Sequence, residues 1–213
     1  MVMKQPKDFG HTRSGSWTAS GAFLQIVEPA LTAAGMLPRG RLADAEGTSQ
    51  DQRAGIDYII SGADGMQTTL ASRVQWHKDW GTFSIRYRTE KGTMSELTKR
   101  YRSVIGGGSY PTLTIQAYVT QPGGVLLNAY MVRTEDLYRH IIFPSADGDP
   151  EHFTLCGCCG DPTWAPGGAQ FIPVAISEEG KAKIGSKSTL IACGVPVQSL
   201  RGFTSNAGLW AAS

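Results

Sequence analysis

Residues 51–76 read DQRAGIDYIISGADGMQTTLASRVQW, two strands joined by a tight turn, the first of them carrying an acid in its interior. Gly55-Ile56-Asp57-Tyr58-Ile59-Ile60 is short, β-branched and apolar, so the carboxylate of Asp57 needs a partner or a role to justify its place. Asp64-Gly65 supplies the turn, because glycine tolerates the positive φ that such hairpins require. Leu70 to Trp76 then alternates, with Leu70, Val74 and Trp76 on one face and Arg73 and Gln75 on the other. Asp57, Arg73 and Gln75 are therefore expected to meet at one edge of a sheet.

Before this hairpin, a polar lead-in (residues 1–16) gives way to an amphipathic helix. Ala22, Phe23, Ile26, Val27, Ala30, Leu31 and Ala34 recur at helical spacing, a cap is available at Ser16, Thr18 or Ser20, and Gly35 is the stop. Glu28 lies beside the apolar stripe, as a solvated flank residue or as something sharper, and Pro29 after it should bend the helix or mark its irregular part. Leu37 to Gln52 is polar and reads as a surface connection. After the hairpin, Thr82 to Arg88 is a third alternating strand with a basic polar face, and Ser95 caps a helix through Leu97, Tyr101, Val104 and Ile105 that Gly106-Gly107-Gly108 ends. Pro111 to Val119 and Val125 to Met131 are two more strands around the Pro122-Gly123-Gly124 turn, and Thr134-Glu135-Asp136 opens a short helix with acids at its positive end. Further on, Phe171 to Ile176 and Thr189 to Cys193 read as strands. The pattern predicts an α/β core over residues 17–143, a mixed and mostly antiparallel sheet flanked by helices, followed by a C-terminal extension over 144–213 that holds a cysteine cluster.

The chain has 213 residues and a formal net charge of +2, so it can bury one substantial core, and attraction to nucleic acid has to come from local patches and not from the whole-molecule field. No apolar run approaches the roughly 20 residues that span a bilayer, and Met1 to Trp17 lacks the apolar region of a secretory signal. A cytoplasmic location, with no membrane partner, is the expectation. Cys156, Cys158 and Cys159 sit together and Cys193 stands far downstream, a distribution that favours free thiols or metal ligation over a disulfide framework.

The order helix, three strands, helix, strand, with an acid on the first helix and Gly55-Ile56-Asp57 on the strand, resembles the PD-(D/E)XK nuclease-like superfamily over roughly Trp17 to Ile142. In that superfamily a helix Glu, the Asp of a GID-like strand and an acid-x-lysine strand converge on one or two divalent metals. The resemblance implies Glu28 as the helix acid, Asp57 as the strand acid, and Arg73-Val74-Gln75 at the tripeptide. Arginine there repels a cation and glutamine carries no charge, so the implied Mg²⁺ or Mn²⁺ site departs from the pattern. Asp51 could supply the missing carboxylate, and Lys78, Lys99 or Arg100 a migrated cation. The strings GIDY, SRVQ, FSIRYR and QAYV also resemble those of phage and plasmid proteins, which implies a mobile element in a bacterial host.

Arg73, Lys78, Arg86, Arg88, Lys91, Lys99, Arg100 and Arg102 crowd one region among Trp76, Trp80, Tyr87 and Tyr101. Cations neutralise phosphate and aromatics stack on unpaired bases, so Arg86, Arg88, Lys99, Arg100 and Arg102 are candidate nucleic-acid contacts; the plainer alternative is a solvated surface over an aromatic core. Cys156, Cys159, Cys193 and His152 are a candidate zinc set, set against incidental cysteines. Two functions follow: a nucleic-acid-associated protein with a variant or degenerate nuclease site, or a non-enzymatic interaction, inhibitor or structural module that engages a host protein. The oligomeric state is not legible.

Overall fold

The computed structural model describes residues 19–45, 47–86, 96–140, 142–144, 153–155, 170–171, 181–184, 190–191 and 194–201. Within them the protein is α/β, built on a six-stranded mixed sheet whose strands lie side by side in the order Arg41–Asp44 (β1), Tyr58–Ser61 (β2), Gln67–Trp76 (β3), Leu113–Val119 (β5), Leu126–Arg133 (β6) and Gln198–Ser199 (β11). β3 and β5 run parallel, with Leu70 opposite Leu113, while the other neighbours in this sheet are antiparallel. A parallel pair needs a crossover, and the segment after β3 provides it with β4 (Phe83–Arg86) and the helix Glu96–Gly106.

The central hairpin forms as its sequence requires. Gly65 takes φ 80°, Asp64 accepts from the Met66 N–H at 3.0 Å, and Tyr58 pairs with Leu70. Alternation then sorts side chains to two faces. On the first face Tyr58, Leu70, Ile115, Ala117 and Met131 join Phe23, Val27 and Leu31 of the opening helix, with the Phe23 and Tyr58 rings stacked at 4.5 Å. On the second, Tyr118, Tyr130 and Val132 meet Phe83, Ile85, Leu97, Val104, Leu137 and Tyr138 from β4, the Glu96–Gly106 helix and the helix Thr134–His140. All seven residues of β5 are buried, as a strand covered on both faces should be.

The opening helix contains a π-helical turn, Phe23–Val27, directly before its α-helical stretch Glu28–Ala33. Pro29 has no N–H to give to the preceding turn, which accounts for the widened geometry there. Gly35 ends the helix at φ 71°.

Four expectations are corrected. The Leu37 to Gln52 connection contains β1 and a capped helix, Ser49–Ala54, in which Thr48 accepts from the Asp51 N–H. Gly55 opens no strand; it closes that helix in the left-handed conformation, φ 66°, and β2 starts at Tyr58. β4 does not join the main sheet but pairs with β10 (Lys181–Ile184), which in turn pairs with β9 (Gln170–Phe171). The three strands preceding the Glu96 helix in the main sheet are thus β1, β2 and β3. Leu190 and Ile191 are helical where a strand was expected. β7 (Ile142–Pro144) and β8 (Phe153–Leu155) form a separate antiparallel pair. Among the described residues no helix is long and apolar enough to cross a membrane.

Candidate functional site

The second face of the sheet carries a run of polar side chains where an apolar layer would be simpler. Asp57 is the last residue before β2, and with Tyr58 directed to the first face it must look to the second. Its carboxylate accepts the Ser72 N–H at 2.6 Å, bridging β2 and β3. Burial pushes its pKa up to about 6; the Ser72 N–H and then the Arg100 charge pull the other way, while Glu96 and Asp51 add to the rise.

Beside it lies an ion-pair cluster centred on Glu96, the first residue of its helix. One carboxylate oxygen of Glu96 meets Arg73 of β3 at 2.7 Å, and the other meets Arg100, one turn along the same helix, also at 2.7 Å. Arg100 is 5 % exposed and also donates to the Gly55 carbonyl at 3.1 Å. This explains Gly55 twice over: it needs positive φ, and a Cβ there would stand 3.2 Å from the Arg100 guanidinium. Arg100 Nε and the Tyr138 hydroxyl are buried without a hydrogen bond among the described residues, although the hydroxyl sits close enough to feel the guanidinium charge. Burial raises the Tyr138 pKa above the ordinary tyrosine value, so this phenol stays neutral.

The polar run continues across the sheet. Gln75 donates to the Ser84 hydroxyl at 3.2 Å, and Gln116 accepts the Ser84 N–H at 3.2 Å while donating to the Arg73 carbonyl at 3.4 Å. Tyr118 bonds the backbone of Thr82. At the far side Asp79 accepts from the Tyr130 hydroxyl at 2.6 Å and from Asn128 at 3.2 Å, and its other oxygen takes the Gly81 N–H at 2.8 Å. The bonds of Ser84, of Thr82 and of Asp79 with Tyr130 and Asn128 tie β4 or the turn leading into it to the sheet, so the face is an interlayer hydrogen-bond lattice.

Of the residues expected at one site, Asp57, Arg73 and Gln75 do share a face, and Asp51 is near enough to act on Asp57. Glu28 does not join them. It lies on the opening helix, which covers the opposite face, and accepts from Thr32 at 2.9 Å. Arg100 is corrected as a nucleic-acid contact, because it is buried and paired with Glu96. Lys99 is half-buried and Arg102 exposed. Arg86 has its backbone in β4, while Arg88 and the zinc candidates Cys156, Cys159, Cys193 and His152 lie outside the described residues.

A divalent metal does not fit the described donors. Both Glu96 oxygens are held by arginines, Asp57 feels the Arg100 charge, Glu28 is across the sheet, and no three acid, histidine or cysteine side chains among the described residues are placed to hold a metal ion together. Sequence reasoning missed Glu96 and Asp79. The signals were present, as the four-residue spacing from Glu96 to Arg100 on one helix and as an Asp two residues before a glycine. Comparison with family models, with curated proteins and with solved structures gave no match.

Proposed function

We propose that this chain is a nucleic-acid-associated protein of a phage or other mobile element, acting in the cytoplasm of a bacterial host, which uses a nuclease-like fold to bind without cutting. The observation that carries the reading is Glu96 clamped between Arg73 and Arg100, each at 2.7 Å, where a nuclease of the resembled superfamily would gather carboxylates for metal. A cation entering there would have to displace two guanidinium groups from one carboxylate. The opening helix, the β2–β3 hairpin, the Glu96–Gly106 helix and β5 follow the resembled order, with the Ser49–Ala54 helix and β4 as insertions, and exposed cations such as Lys78, next to an exposed Trp80, support a phosphate-bearing partner.

The test is incubation with single- and double-stranded DNA and RNA, with Mg²⁺, with Mn²⁺ and with chelator, followed by gel and binding readouts. Binding that weakens steeply with salt and leaves the strands intact is the expected outcome. Cleavage that requires metal and disappears in Asp57→Ala would restore the metal nuclease. Absent or salt-insensitive binding would favour the protein-interaction module instead.

A further inference from the structure

The groove between the Ser49–Ala54 helix and the ends of β3, β5 and β6 has a volume of about 510 Å³ and is lined by Arg53, Arg133, Glu135, Thr69, Ser109 and Thr112 among others. That volume is in the range of small-molecule sites. Its charge is positive once the ion pairs are followed. Two arginines line it against the one carboxylate of Glu135, which Arg139, outside the groove, holds at 2.7 Å, closer than the 3.7 Å to Arg133. Arg53 is exposed and has no ion-pair partner among the described residues. The floor is fixed, because the Thr69 and Thr112 hydroxyls lie 3.1 Å apart and the Thr112 N–H donates to Thr69 at 2.9 Å, locking the β3 and β5 ends together.

We propose that this groove binds a phosphate-bearing, nucleotide-sized anion, with Arg53 and Arg133 on the phosphate and the Ser109 hydroxyl as a neutral donor. Guanidinium pairs suit a phosphate through forked, charge-assisted hydrogen bonds. The positive lining argues for an anion; that the anion is a nucleotide or a strand end rests on the nucleic-acid reading above.

Binding of a 5′-phosphorylated and a 5′-hydroxyl oligonucleotide of one sequence, and of free AMP, is measured on the full chain and on Arg53→Ala, an exposed change that leaves the core alone. The expected result is about tenfold tighter binding of the phosphorylated strand, erased in Arg53→Ala. Saturable AMP binding lost in Arg53→Ala, with neither strand bound, supports the groove and overturns the nucleic-acid reading. Equal binding of both strands, unchanged in Arg53→Ala and with no AMP bound, overturns the groove and leaves that reading standing. Binding of none of them overturns both.

Discussion

On one face of the sheet Tyr58, Leu70, Ile115 and Met131 close on Phe23, Val27 and Leu31 with apolar side chains, while on the other Asp57, just before β2, and Arg73, Gln116 and Asn128 of the neighbouring strands meet partners that must be in register to pair. Hydrocarbon contact is non-directional and tolerates small shifts. The polar lattice does not, since a hydrogen bond is net worth about 1 kcal/mol when made and costs more when a buried partner is left without it. Both faces bury apolar clusters that stabilise the fold, and on the second the polar lattice in addition fixes where β4 and the Glu96–Gly106 helix sit.

The sharpest break in that contrast is on the apolar side. Phe23 is fully buried and stacked on Tyr58, and Phe23→Ala should cost about 3–5 kcal/mol in chemical denaturation, with the midpoint shifted and cooperativity retained. Arg100→Ala tests the other face. It removes a buried guanidinium but leaves Glu96 its second partner Arg73, so the loss should fall near the lower end for a broken buried pair, about 3 kcal/mol. A loss below about 1 kcal/mol would mean that the cluster behaves like a surface pair.

Asp57 gives a pH-dependent version of the same contrast. Unfolded, it ionises at its ordinary value of 3.8; folded, it holds its proton up to about 6. Over that window the native state binds the extra proton, so this group contributes stability that is full below 3.8 and is lost as pH rises through about 6. The contribution is on the order of 2–3 kcal/mol at about 1.4 kcal/mol per unit. Asp57→Asn keeps an acceptor for the Ser72 N–H and cannot ionise. Urea midpoints of the two chains should converge at pH 4 and separate at pH 8, with the variant the more stable. A wild-type chain that gains on the variant as pH rises would reverse the sign and assign Asp57 to a stabilising ion pair with Arg100.

The hairpin, the opening helix and the β5 and β6 strands were legible because each carries its own period and its own turn residues, as with Asp64-Gly65 and the Gly35 stop. What failed was partner choice. Thr82 to Arg88 reads as a strand in either sheet, and nothing local says that β4 will pair with β10, nearly a hundred residues on. Likewise Asp57 and Arg73 were placed on one face by alternation, yet the residue that joins Arg73 to Arg100 is Glu96 on a distant helix. Glu28 was attached to Asp57 through a resemblance, and the sequence has no periodicity that tells which face of a sheet a preceding helix will cover.

The smallest effect is expected at Glu28, and its smallness is informative. Its carboxylate is partly buried and its bond to Thr32 lies within one turn of the same helix, so Glu28→Ala should change stability by no more than about 0.5 kcal/mol. If Glu28 and Asp57 held one ion, the two alanine variants would lose Mg²⁺-dependent activity or Mg²⁺-induced stabilisation together, and the double variant would lose no more than either alone. With the sheet between them, Glu28→Ala should instead leave nucleic-acid affinity, metal response and the pH profile unchanged. A shared loss in melts taken with and without Mg²⁺ would mean that the two carboxylates reach a common ion, and the contrast between an apolar and a polar face would then have to be redrawn around a metal.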